Sequence, residues 1–246
     1  MKNKTIIIML SIFFILPFFA FGNDDEVTVC VYDIHPWGYM ENGKMKGYVY
    51  KISNLIVKTA GYKVVNNNFK PFPRVVLNLQ QGDCDFSVFT RNDKLKKLHP
   101  LVYVTDANIV IVTNKKMRYK KLKYFKGKTL GIIRNARYLK SFHSDDGIIE
   151  YPVKNYNQAL QMLSRNRLDG FIGTESGIIP VMKQLKFSKK DFNFFLVGKK
   201  EVWVMYSLKN YEKDRKTGKT DALIKAVNKL KKKDAFQNLL KKYKSF

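Results

Sequence analysis

The chain is short of the residues most often recruited for chemistry. It holds three histidines, His35, His99 and His143, and two cysteines, Cys30 and Cys84. None of the histidines stands at the spacing of a metal-ligand set or of a nucleophile and its base, so no metal site and no catalytic residue is read from them. A structural role is the plainer reading of each, and only His35, beside Pro36, falls near a candidate cleft. Gly38, Gly43 and Gly47 form no phosphate-cradling pattern, and no cofactor is implied. No nucleic-acid motif is present. Acidic residues are scarce as well, 20 against 46 lysines and arginines, for a formal charge of +26. The lysines run along the whole chain, which describes a solvated cationic surface or, more sharply, one drawn to an anionic envelope or an anionic solute.

The chain opens on an export signal. Lys2 and Lys4 precede an apolar run from Ile6 to Phe19, and Ala20-Phe21-Gly22 supplies small residues at a cleavage point. That run is shorter than the roughly 20 residues needed to cross a bilayer, and Asn23, Asp24, Asp25 and Glu26 follow it at once, so the expectation is a cleaved signal and not an anchor. No cysteine stands at the cleavage point to carry a lipid, which points to a soluble periplasmic protein cleaved after Gly22. Removing 22 of 246 residues leaves 224, and the charge falls to +24 with the loss of Lys2 and Lys4. With 45% of the full chain apolar, the remainder can bury one large core or two modest ones.

The stretch from Glu26 to Val65 reads as a βαβ unit. Val27, Val29 and Val31 begin a β-branched strand that Asp33 and His35-Pro36 end, because proline lacks a ladder donor and restricts its predecessor. Gly43 and Gly47 bracket a polar loop. Tyr48, Ile52, Leu55, Ile56 and Thr59 then recur at helical spacing until Gly61, and Tyr62 to Val65 starts a second strand. Ligands of open parallel sheets sit outside the carboxyl ends of the strands, which places Trp37 and Tyr39 at a candidate site. Asn66 to Lys70 reads as a polar loop. Pro71-Phe72-Pro73-Arg74 opens a helix carrying Val75, Val76 and Leu79, Pro73 suiting its first turn. Gln81-Gly82-Asp83 ends that helix, and Cys84 to Phe89 reads as a third strand, followed by Thr90, Arg91, Asn92, Asp93 and Lys94.

In this order, PWGYMENGKMKGY, AGY, PFPR and QGDCDFSVFTRNDK resemble the extracellular solute-binding proteins of family 3, which serve polar amino-acid ABC transporters. FKGKTLGIIRNARY and ALQMLSRNRLDGFIG continue the resemblance over nearly the whole mature chain. It implies a two-lobed α/β clamp, each lobe a mostly parallel sheet with flanking helices. Two crossing strands would form the hinge. On that reading residues 1–22 are the signal, 23–106 and 204–246 form lobe one, and 107–203 form lobe two. Val102 to Val104 and Ala107 to Thr113 would carry the chain across and Val202 to Leu208 would return it. Between them Thr129 to Ile133, Ile148 to Tyr151 and Gly170 to Gly173 read as strands. Asn155 with Gln158 makes a capping box, Ser176 to Leu185 reads as a helix that Pro180 kinks, and residues 221–246 read as two helices.

The resemblance also implies a site. In amino-acid binders of this family an arginine after the third strand forks two hydrogen bonds onto the ligand carboxylate; here Lys94 matches that position best, with Arg91 three residues earlier. An aspartate that meets the ligand amine in lobe two is replaced by Thr174. The expected ligand set is therefore Trp37, Tyr39, Arg74, Thr90, Arg91 and Lys94 from lobe one, with Asn135, Arg137, Tyr138 and Thr174 from lobe two. Four cations among them imply an anionic or zwitterionic, amino-acid-like solute. The partner would be a transporter permease or a membrane sensor, and the protein a monomer. An enzyme remains open, since cyclohexadienyl dehydratases are similar to these binding proteins. If the family's strand order holds, strands one and three are neighbours, and Cys30 and Cys84 either form a bridge or stay as two buried thiols.

Overall fold

The computed structural model describes residues 25–91, 95, 97–117, 119, 121–134, 136–139 and 147–244. The expected export signal, Lys94, Asn135 and His143 lie outside the described residues. Strand β1 (Glu26–Tyr32) buries its β-branched run, and β2 (Tyr39–Glu41) and β3 (Lys44–Lys46) form a small hairpin. The hairpin replaces the expected polar loop. Its turn is Asn42-Gly43, both with positive φ (50° and 71°), the pair that suits a two-residue turn between twisted strands.

Helix α1 (Tyr48–Thr59) turns Val49, Ile52, Ile56 and Val57 inward, each such side chain adding about 1.5 to 3 kcal/mol when fully buried. It stops where Gly61 takes φ 90°. Strand β4 (Lys63–Lys70) runs on through the asparagines expected to form a loop, because its backbone pairs with β1 as far as Tyr32↔Lys70. Helix α2 (Phe72–Gln81) begins on its proline-rich turn and ends at Gly82, φ 80°. Next come β5 (Phe86–Thr90) and the long β6 (Leu98–Asn114).

The middle of the chain supplies β7 (Thr129–Ile133), β8 (Ile149–Val153), α3 (Tyr156–Ser164), β9 (Gly170–Thr174) and α4 (Glu175–Gln184). Asn155 caps α3 by accepting from the Gln158 N–H at 2.9 Å, and the Gln158 side chain accepts from the Lys154 N–H at 2.7 Å. The chain returns in β10 (Phe192–Ser207) and closes with α5 (Leu208–Lys216), α6 (Lys219–Lys232) and α7 (Ala235–Lys244). Two of these three helices were expected. Leu208–Lys216 was not, having no apolar stripe to announce it.

The main sheet has the order β4-β1-β5-β10-β6-β9-β7-β8. β4, β1 and β5 run parallel on one side, and β9, β7 and β8 on the other. The two long strands between them are antiparallel and belong to both halves. β10 pairs with β5 from Val202↔Thr90 to Tyr206↔Phe86, while β6 pairs with β9 from Ile109↔Thr174 to Val112↔Phe171. Between these runs Thr105 to Asn108 face Lys199 to Val202 and join the halves. Cys30 and Cys84 form a disulfide, Cα to Cα 5.8 Å, beside the Val29↔Phe86 contact of β1 with β5.

Candidate functional site

One cleft lies where the carboxyl ends of the parallel strands of both halves meet, with about 740 Å³ of empty space including its mouth. From the first half Trp37 follows β1, Tyr48 opens α1, Phe72 opens α2, and Val88 to Thr90 end β5. The crossing strand contributes Thr105, Asp106 and Ala107. The second half adds Ile133, Ala136 and Tyr138 after β7, Tyr156 from α3, and Thr174 and Ser176 where β9 passes into α4. Leu240 reaches the same space from α7 at the end of the chain.

Rings dominate the walls. Phe72 sits edge-on to Tyr32 at 5.3 Å and to Phe89 at 5.4 Å, and Trp37 edge-on to Tyr48 at 5.7 Å. The Tyr32 hydroxyl donates to the Val88 carbonyl and that of Tyr48 to the Phe236 carbonyl, each at 3.4 Å. The Tyr156 hydroxyl lies 3.1 Å from Thr174 Oγ1 and accepts the Thr174 N–H at 3.3 Å. Tyr138 is hydrogen-bonded to Tyr156 in turn. Burial pushes the phenols of Tyr32, Tyr48 and Tyr138 well above their ordinary range, so they offer ring faces and hydroxyls but no charge.

The halves touch across the cleft at Gly177. A Cβ there would lie 2.8 Å from Trp37 Nε1 of the first half, besides meeting Tyr156 Cε2 at 2.6 Å and Thr174 Oγ1 at 2.9 Å. Only glycine admits the indole this close to α4.

Of the residues expected at the site, Trp37, Thr90, Tyr138 and Thr174 line the cleft. Four others stand outside its lining. Arg74 is exposed in the first turn of α2, where Val75, Asn78 and Leu79 take the inner face. Arg91 is exposed with its guanidinium 5.5 Å from the Trp203 ring, and its N–H donates to the Glu201 carbonyl at 2.9 Å. Arg137 is exposed and its carbonyl accepts from the Lys200 ammonium. Tyr39 lies on β2 with its ring 4.6 Å from that of His35. Lys94 and Asn135 fall outside the described residues.

His35 is not among the lining residues either. Its Nδ1 is buried without a hydrogen-bond partner, and burial lowers the imidazole pKa below its ordinary value. Among the described residues no three His, Cys, Asp or Glu side chains gather where they could hold a metal ion. Tyr32, Tyr48, Phe72, Thr105, Asp106, Tyr156 and Ser176 line the cleft without having been expected there. The Thr105-Asp106 pair, midway along an otherwise apolar run, is the local sequence feature from which it could have been read.

A family model described as bacterial extracellular solute-binding proteins, family 3, matches residues 27–246. The probable amino-acid-binding protein YxeM of Bacillus subtilis (strain 168) is 21% identical over 257 residues, covering 99% of this chain and 95% of that protein. An ancestral arginine-binding protein bound to arginine has the same fold, with a TM-score of 0.70 and 22% identity, over 89% of this chain and 98% of its own. The arginine-, lysine-, histidine-binding protein ArtJ from Geobacillus stearothermophilus superposes with a TM-score of 0.72 at 18% identity, over 90% and 96%. These are two-lobed clamps, and the curled α/β sheet described above is theirs.

Proposed function

Because the chain belongs to the bacterial extracellular solute-binding proteins of family 3, we propose that it captures a small amino-acid-like solute between its lobes and delivers it to an ABC transporter. The observation that carries this reading is the cleft built at the carboxyl ends of strands from both halves and bridged by the Trp37–Gly177 contact. Lobe one is assigned to residues 23–106 and 204–246 and lobe two to 107–203, with the signal cleaved after Gly22 and the mature protein a periplasmic monomer. Trp37, Thr90, Tyr138 and Thr174 are the ligand contacts retained from the sequence. A zwitterion is favoured over an anion, since Arg74, Arg91 and Arg137 stand outside the lining. A role in catalysis is disfavoured by the place of His35, and the names of the relatives speak for binding.

A thermal-shift screen against amino acids, organic acids and amines tests capture, because a ligand of the folded state raises the midpoint with its concentration. Small-angle scattering tests closure. The expected result is an amino acid that raises the midpoint, shrinks the scattering radius and is recovered unchanged. Turnover of the bound compound would overturn the reading. Gly177→Ala should wedge Trp37 off α4, weakening the same solute at least tenfold and leaving the loaded radius larger. An alanine variant that closes like the parent would remove the Trp37–Gly177 contact from the closed state.

A further inference from the structure

We infer that the solute carries an apolar body, an aromatic or branched aliphatic side chain, in place of the polar side chain that would suit the arginine binders of the same fold. This rests on the proposed capture of an amino-acid-like solute and narrows it. Phe72, packed edge-on to Tyr32 and Phe89, forms an aromatic corner, and Val88 beside it is buried. The tyrosine hydroxyls nearby are already bonded to the protein: Tyr32 to Val88, Tyr48 to Phe236, and Tyr138 through Tyr156 to Thr174. A carboxamide or second carboxylate entering this space would shed its water and meet rings, whereas an apolar body gains by leaving water.

The polar capacity left in the cleft suits a head group. Thr105 on the crossing strand and Ser176 in the first turn of α4 line the cleft at 8% and 9% exposure. Asp106 is the one charged side chain among the described lining residues; it is exposed and is hydrogen-bonded by the Tyr103 hydroxyl. One carboxylate at the mouth matches one ammonium. It does not supply a counter-charge for a second cation deeper in, and so strongly basic a chain repels cationic solutes at a distance.

The test is calorimetric titration at pH 7 of the purified protein, its Cys30–Cys84 bridge intact, with L-phenylalanine, L-leucine, L-arginine, L-glutamine, L-glutamate and glycine. Phenylalanine or leucine should bind at least tenfold more tightly than the three polar amino acids. Glycine, which has the head group without a body, should be at least tenfold weaker as well. Arginine, glutamine or glutamate binding as tightly as the apolar pair would overturn the inference and leave the proposed function standing, and so would glycine matching phenylalanine. Absence of binding by all six would overturn the proposed function and this inference with it.

Discussion

Asp214→Ala should lower the unfolding free energy by about 3 to 5 kcal/mol, among the largest losses any single side chain of this protein can cause. Asp214 and Lys219 face each other at 3.3 Å with side chains only 5% and 7% exposed. The Tyr206 hydroxyl donates to the second Asp214 oxygen at 2.8 Å, and the Lys219 ammonium also donates to the Glu26 carbonyl at 3.2 Å. The pair thus ties the α5–α6 corner to β10 and to the start of β1. Removing the carboxylate strands a buried ammonium and a buried hydroxyl, and that stranding is the main cost. Replacing both partners, as Asp214→Leu with Lys219→Met, should recover the part due to the stranded ammonium and leave the part due to the Tyr206 hydroxyl. Urea midpoints at unchanged m-value decide it. A loss below about 1 kcal/mol for Asp214→Ala would put the pair with exposed ion pairs.

Reduction of the Cys30–Cys84 bridge should cost about 4 kcal/mol in the chain-entropy model, since it frees a loop spanning 54 residues of sequence. That loop contains α1, β4 and α2. The unfolded chain gains the freedom, so the effect belongs mainly to the denatured state. Denaturation with and without reductant, alongside Cys30→Ala/Cys84→Ala, measures it. Equal midpoints in both conditions would contradict the expected stabilisation.

Elements whose ends are set by local chemistry were legible from sequence. Val27, Val29 and Val31 marked β1, the Pro71-Phe72-Pro73 turn marked the start of α2, and Gly61 and Gly82 marked helix ends. Elements held by partners far along the chain were not. Asn66 to Asn68 carry no strand signal of their own and are extended because β1 pairs with β4 on both sides of Asn66-Asn67, at Val65 and at Asn68. Residues 208–216 are mostly charged, and their helix is anchored by Asp214 and by Asn210, which donates to the Gly82 carbonyl and to Asp85.

The site divides in the same way. Position after a strand told which edge of the sheet a residue occupies, and that sufficed for Trp37, Thr90, Tyr138 and Thr174. It did not tell where a long side chain would settle. Arg74 falls beside the inner stripe of α2, and Arg91 lies over Trp203 instead of entering the cleft. Tyr48, Tyr156 and Leu240 converge only because α1, α3 and α7 are brought together by the sheet. No local pattern records that.

The position of β10 also sets a timetable for synthesis. It lies in the middle of the sheet, hydrogen-bonded to β5 on one side and β6 on the other, yet it is the last strand of the chain to be made. Until residue 207 has emerged, the facing edges of β5 and β6 have no partner from β10, and open strand edges invite pairing with other chains. A nascent chain is therefore most vulnerable before β10, Phe192–Ser207, has emerged. A truncation before Phe192 would leave two sheet fragments with their inner edges bare, and not a slightly shortened protein.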